Sequence, residues 1–180
     1  MTAAAADPAV VSLFVERLGL QHVEVRRMAA TEVASAVAGA CAARGIGRLG
    51  VPPGLPLEWR PAGVSVVEDH DLTPAELDAL DAALTSCTLA IADTGSLVLA
   101  AGAADGRRAL SLVPDIYLCV VAEDQIEPDL PAAMPRIAGL IREQGRPVVF
   151  VSGPSATSDI ELQRVEGVHG PRQLVVLLVS

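Results

Sequence analysis

Residues 116–121 (Ile-Tyr-Leu-Cys-Val-Val) and 173–179 (Gln-Leu-Val-Val-Leu-Leu-Val) carry apolar side chains at almost every position. Successive side chains of a strand point to opposite faces, so a run like this is stable only where both faces are covered. A half-exposed sheet is excluded for these segments. What remains is an α/β arrangement with strands buried beneath helices. Two shorter apolar runs, 87–92 and 97–101, flank Asp93-Thr94-Gly95-Ser96 and read as a hairpin. Residues 46–51, 63–68 and 147–151 read as further strands, and Val23 and Val25 alternate with polar neighbours in another.

Helix signals fall between these runs. Asp7-Pro8 is an N-cap followed by proline at the first helical position, and the apolar pattern stops at Gly19. Thr31 is a cap for a helix over 32–44 that Gly45 closes. Thr73-Pro74-Ala75-Glu76 combines a capping threonine, a proline and a reciprocal glutamate, which predicts a helix running to about Leu84. Residues 128–143 predict another, with Pro131 in its first turn and Pro135 deep enough to require a late start or a kink. No repeat, low-complexity tract or linker divides the 180 residues. The expected organisation is a disordered N-terminus over 1–7 and a single α/β domain over 8–180, with a largely parallel sheet covered by helices.

Composition removes several functions. All thirteen basic residues are arginine, so lysine Schiff-base chemistry and the phosphate-binding lysine of a P-loop are absent. A formal charge of −9 and only four aromatic residues argue against a nucleic-acid partner, which needs positive charge or stacking rings. Cys41, Cys87 and Cys119 form no CxxC pair, so neither a metal nor another cofactor is expected, and buried free thiols fit a reducing compartment. The charge-free runs 82–92 and 94–104 fall short of the ~18 residues of a membrane span. Residues 1–7 lack the pattern of a signal peptide. A cytoplasmic protein without membrane contact is expected.

Three polar, glycine-bearing segments abut strands: 93–96, 152–161 (Ser-Gly-Pro-Ser-Ala-Thr-Ser-Asp-Ile-Glu) and 167–172 (Gly-Val-His-Gly-Pro-Arg). In open α/β sheets ligands gather at the carboxyl ends of strands, so a shared crevice is expected there. In the second segment Thr157 or Ser158 can cap a short helix holding Asp159 and Glu161; such a start either binds an anion or only satisfies its own N–H groups. Thr94-Gly95-Ser96 is ordinary turn chemistry or a set of donors to a ligand. His169, between Gly167 and Gly170, is a structural histidine or an acid–base group open to a crevice. Arg172 can fix a carboxylate or phosphate.

Taken in order, residues 90–99, 109–114, 152–161 and 167–172 resemble the LUD-domain family, from about Leu89 to the C-terminus. The resemblance implies a fold similar to the ribose-5-phosphate isomerase, glucosamine-6-phosphate deaminase and CoA-transferase superfamily. It also implies an accessory role in oxidising L-lactate to pyruvate, beside partner subunits that carry iron–sulfur clusters. On this reading a small organic acid or other small anion is bound by Thr94, Gly95, Ser96, Gly153, Ser155, Thr157, Gly170 and Arg172, with His169 as the titratable group. The alternative is an isomerase or acyl/CoA-transferase-type enzyme with Glu161 or Asp159 and His169 as acid and base. The absence of lysine rules out copying the lysine-dependent members, and Ser96 stands where threonine is common, keeping the hydroxyl.

Overall fold

The computed structural model describes residues 6–154, 156–157, 165–166 and 170–180. Helix α1 (Pro8–Leu20) starts as expected, with the Asp7 carboxylate accepting the Ala9 N–H at 2.8 Å. Strand β1 (Glu24–Met28) follows, then α2 (Val33–Arg44). The entry to α2 differs from the Thr31 cap. A short 3-10 turn, Ala30–Glu32, leads in, and the Glu32 carboxylate takes the Ala29 N–H at 2.8 Å. Gly45 closes the helix in the left-handed region at φ +67°, where a side chain would be strained.

Strands β2 (Arg48–Val51) and β3 (Ser65–Glu68) come next, then α3 (Pro74–Asp78). The capping box at Thr73 is present, but the helix stops after five residues instead of reaching Leu84. Residues Ala82–Ser86 are strand β4, buried throughout. A capping box fixes where a helix begins and says nothing about its length. The apolar run after it is claimed by the gap between β2 and the long strand that follows.

Strands β5 (Leu89–Ile91) and β6 (Ser96–Leu99) form the expected antiparallel hairpin. Then come α4 (Arg108–Leu112), β7 (Ile116–Ala122), β8 (Ile126–Glu127) and α5 (Leu130–Gln144). Helix α5 starts at Leu130, capped by Asp129, and holds Pro135 inside it. Strand β9 (Val149–Val151), the two-residue strands β10 (Ala156–Thr157) and β11 (Val165–Glu166), and β12 (Gln173–Val179) complete the order. β10 pairs with β11, so Thr157 lies in a strand; the short helix expected after it falls outside the described residues.

Six strands make one parallel sheet in the order β1-β12-β7-β4-β2-β3. On one face Leu84, Leu118, Val120, Val175 and Leu177 pack on Val33, Val37, Ala40 and Cys41, chiefly of α2. On the other, Ala83, Tyr117, Cys119, Leu174 and Val176 meet Phe14 and Leu18 of α1, Leu77 and Leu110 of α3 and α4, and Leu97 and Leu99 of a second sheet. That sheet has the order β8-β5-β6-β9 and is covered in turn by Ala133 and Ile137 of α5. Burial of both faces is therefore met by helices on one side, and by helices plus a second sheet on the other. Among the described residues no helix is long and apolar enough to cross a membrane.

Candidate functional site

The β5–β6 hairpin lies back across the main sheet, so its turn reaches the last turn of α1. Gly95 has φ +61°, and a Cβ there would stand 2.9 Å from the Arg17 Cβ and 3.1 Å from its carbonyl carbon. Only glycine permits that approach. Two side chains of α1 and its cap hold the turn: Arg17 Nε donates to the Asp93 carbonyl at 3.1 Å and Gln21 Nε2 to the Thr94 carbonyl at 2.8 Å.

The end of β9 comes to the same place. Ser96 Oγ and Ser152 Oγ are 2.5 Å apart, with Ser96 buried. Gly153, at φ +86°, leaves room for Gln21, whose Cβ and Oε1 would both lie 3.1 Å from a Cβ added there. Gln21 is thus clasped between the 93–96 and 152–153 turns. Its Oε1 is buried and accepts no hydrogen bond among the described residues. Beside it His22, a non-glycine residue at φ +60°, turns the chain into β1.

Thr94 and Gly153 therefore meet at Gln21, with Gly95 against Arg17 and Ser96 against Ser152 beside them. Thr94 is exposed, whereas the Gly95 N–H is spent on the Ala92 carbonyl. Arg172 lies on the lead-in to β12. Its N–H donates to the Asp115 carbonyl at 2.8 Å, and its Nε stands 3.4 Å from Asp115 Oδ1, both side chains being exposed. β12 pairs with β1 through Val175 and Glu24, so Arg172 and Gln21 each stand three residues ahead of the paired positions on neighbouring strands. The gathering is at the amino-terminal edge of these strands, opposite to the carboxyl ends that sheet topology favours. Gly170 is also on this lead-in. Ser155, Asp159, Glu161 and His169 lie outside the described residues, as does the side chain of Thr157.

Sequence reasoning marked the polar turns and missed what joins them. Gln21 and Arg17 belong to no motif, and their partners lie 73 and 76 residues away. The only local signal was a glutamine just beyond a helix stop.

The same edge also carries a cleft of about 360 Å³ lined by Arg44, Asp78, Asp81 and Asp115 among others. Arg44 is already paired with Glu24, and three carboxylates make the cleft hostile to an anion. The three cysteines are buried and free. Contact with Cys119, together with burial, holds the Cys87 thiol well above the ordinary thiol range, which leaves it a poor nucleophile. Among the described residues no group of three or more histidine, cysteine, aspartate or glutamate side chains is placed to hold a metal ion.

A second hollow, about 320 Å³, opens at the carboxyl ends of β2 and β3 and is roofed by the loop between β6 and α4. Its polar floor is Arg107, whose Nε and Nη2 donate to the two carboxylate oxygens of Asp69 at 2.6 and 2.8 Å. The Asp69 side chain is only 2% exposed.

The LUD domain family model matches residues 57–179, more than half of the chain. Lactate utilization protein C of Deinococcus radiodurans is 52% identical over 134 residues, covering 74% of this chain and 63% of that protein. Lactate utilization protein C 1 of Bacillus mycoides is 35% identical, covering 57% of this chain and 44% of that protein. The chain thus spans less than two thirds of the length of either relative. The crystal structure of a duf162 family protein from Deinococcus radiodurans superposes with a TM-score of 0.83 at 38% identity, covering 96% of this chain and 97% of that one. Family model, relatives and fold agree that the chain belongs to the LUD domain family.

Proposed function

We propose that this chain serves lactate utilisation as an accessory protein that holds a small organic acid in a crevice lined by its glycine-bearing turns. The observation that carries this reading is the convergence of the 93–96 and 152–153 turns on Gln21, with the Arg172 lead-in at the same edge of the sheet. The names of the two relatives supply the pathway.

In this reading the Thr94 hydroxyl and the Arg172 guanidinium receive the carboxylate. Arg172 is released from Asp115, a pair exposed enough to cost little to break. Gln21 positions the turns and does not touch the ligand. The ligand roles that the family resemblance implies for Ser155, Thr157, Gly170 and His169 belong to this same proposal. Redox chemistry belongs to separate subunits bearing iron–sulfur clusters.

Two measurements test this. Titration calorimetry with L-lactate and with pyruvate is expected to give dissociation constants of about 1 mM, equivalent to ~4 kcal/mol. Thr94→Val is expected to weaken binding about fivefold, the loss of one hydrogen bond. A chromosomal deletion is expected to abolish growth on L-lactate and to be rescued by the intact gene. Normal growth of the deletion strain, or no heat from either acid, overturns the proposal.

A further inference from the structure

The hollow opens at the carboxyl ends of β2 and β3, one strand away from the β2/β4 boundary where the strand order reverses. The carboxyl ends of the strands are the side of an open α/β sheet on which ligands usually bind. The hollow's volume of about 320 Å³ suits a small molecule.

Three observations define the chemistry of this hollow. Arg107 is fixed: Asp69 takes its Nε and Nη2, and the Leu72 carbonyl takes Nη2 as well. Nη1 donates to nothing among the described residues. Asp71, exposed on the wall, likewise accepts no hydrogen bond among them. The hydrocarbon surface comes from Pro52, Pro53 and Ala101. Three non-glycine residues among those described adopt a left-handed backbone, and two of them, Asp71 at φ +61° and Ala101 at φ +50°, line this hollow. Strain of that kind collects at ligand clamps.

Charge decides which ligand fits. Asp69 already neutralises Arg107, and Arg146 and Asp105, both close to Gly102, offset one another. Asp71 is left as unmatched negative charge, so an anion is repelled. A neutral molecule with adjacent hydroxyls is not. One hydroxyl oxygen accepts from Nη1, a second hydroxyl donates to the Asp71 carboxylate, and the carbon skeleton rests on the proline and alanine wall. We propose that this hollow binds the vicinal diol of a sugar or a ribose-bearing compound, at a site separate from the polar turns around Gln21.

Chemical-shift mapping on the full chain tests it, with D-ribose, adenosine, 2′-deoxyadenosine, inorganic phosphate and L-lactate each at about 10 mM, within reach of millimolar affinity. Saturable movement of the Ala101, Gly102 and Arg107 amides is expected with D-ribose or adenosine and not with 2′-deoxyadenosine. Tighter binding of adenosine than of D-ribose identifies a nucleoside source, and the reverse a free sugar. Asp71→Asn keeps a residue that tolerates the left-handed region, and is expected to weaken diol binding about tenfold, the value of a hydrogen bond to a charged acceptor. Arg107 is left intact, because removing it orphans the buried Asp69. No movement with either diol, equal affinity in the Asp71→Asn variant, or movement of these amides by phosphate or L-lactate instead overturns the proposal. None of these results depends on where, or whether, an organic acid binds near Gln21.

Discussion

Gly45 and Gly95 share a left-handed backbone, at φ +67° and +61°, yet they do different work. A Cβ at Gly45 meets nothing within 4 Å, so Gly45→Ala costs only conformational strain, about 1 kcal/mol. At Gly95 the same methyl group enters the backbone of α1. Gly95→Ala must push the hairpin turn off Arg17 and Gln21, with an expected loss of about 3 kcal/mol. Denaturant melts of the two variants check this, and equal losses would mean that the turn does not dock on α1. Both glycines were visible as breaks in the sequence. Which of them was a close approach was not, because the neighbour lies on another element.

At the scale of elements, patterning succeeded where burial was complete and local. β12 falls on residues 173–179 as read, and β7 and the β5–β6 hairpin differ from their apolar runs only at the ends. It failed at β4, where Ala82, Ala83 and Leu84, following a helix start, looked like more helix. Nothing local separates a short buried strand from a buried helical turn; pairing with β2 and β7 decides it. α3 survives at five residues because its ends are satisfied. The Thr73 hydroxyl and N–H both donate to the Glu76 carboxylate, at 2.7 and 2.8 Å. These bonds, the hydroxyl's first, hold the Glu76 carboxyl below the ordinary glutamate range. A lowered folded pKa means stability that is fully present above the unfolded glutamate pKa and lost as pH falls through the lower folded value. Thr73→Ala removes both the cap bond from the Glu76 N–H and the hydroxyl's bond to its carboxylate, and is expected to destabilise the chain at neutral pH and to raise the Glu76 pKa. Melts at neutral and acidic pH should show the gap between variant and parent narrowing in acid to the part due to the cap bond from the Glu76 N–H, which does not titrate; a gap unchanged in acid contradicts this role for the Glu76 carboxylate.

At the scale of the whole molecule, the continuous aliphatic strands dictated an α/β layering, and the six-stranded parallel sheet follows from it. The second sheet lying across that layer was not legible, since short apolar strands do not state which sheet they join. This arrangement decides the location of the candidate site. By folding the hairpin back, it carries Thr94 to Gln21 at the amino-terminal edge, the edge that also bears the Arg172 lead-in, and leaves the carboxyl-end hollow to Arg107 and Asp71. The chain's net charge of −9 disfavours any anion at long range, so acid binding depends on donors held at short range.

The most direct test is nitrogen–proton shift mapping of the labelled chain during titration with L-lactate. The account predicts saturable movement of the Thr94, Gly95, Gly153 and Arg172 amides, reduced in Thr94→Val. Movement confined to the hollow around Arg107, or none at all, would contradict it.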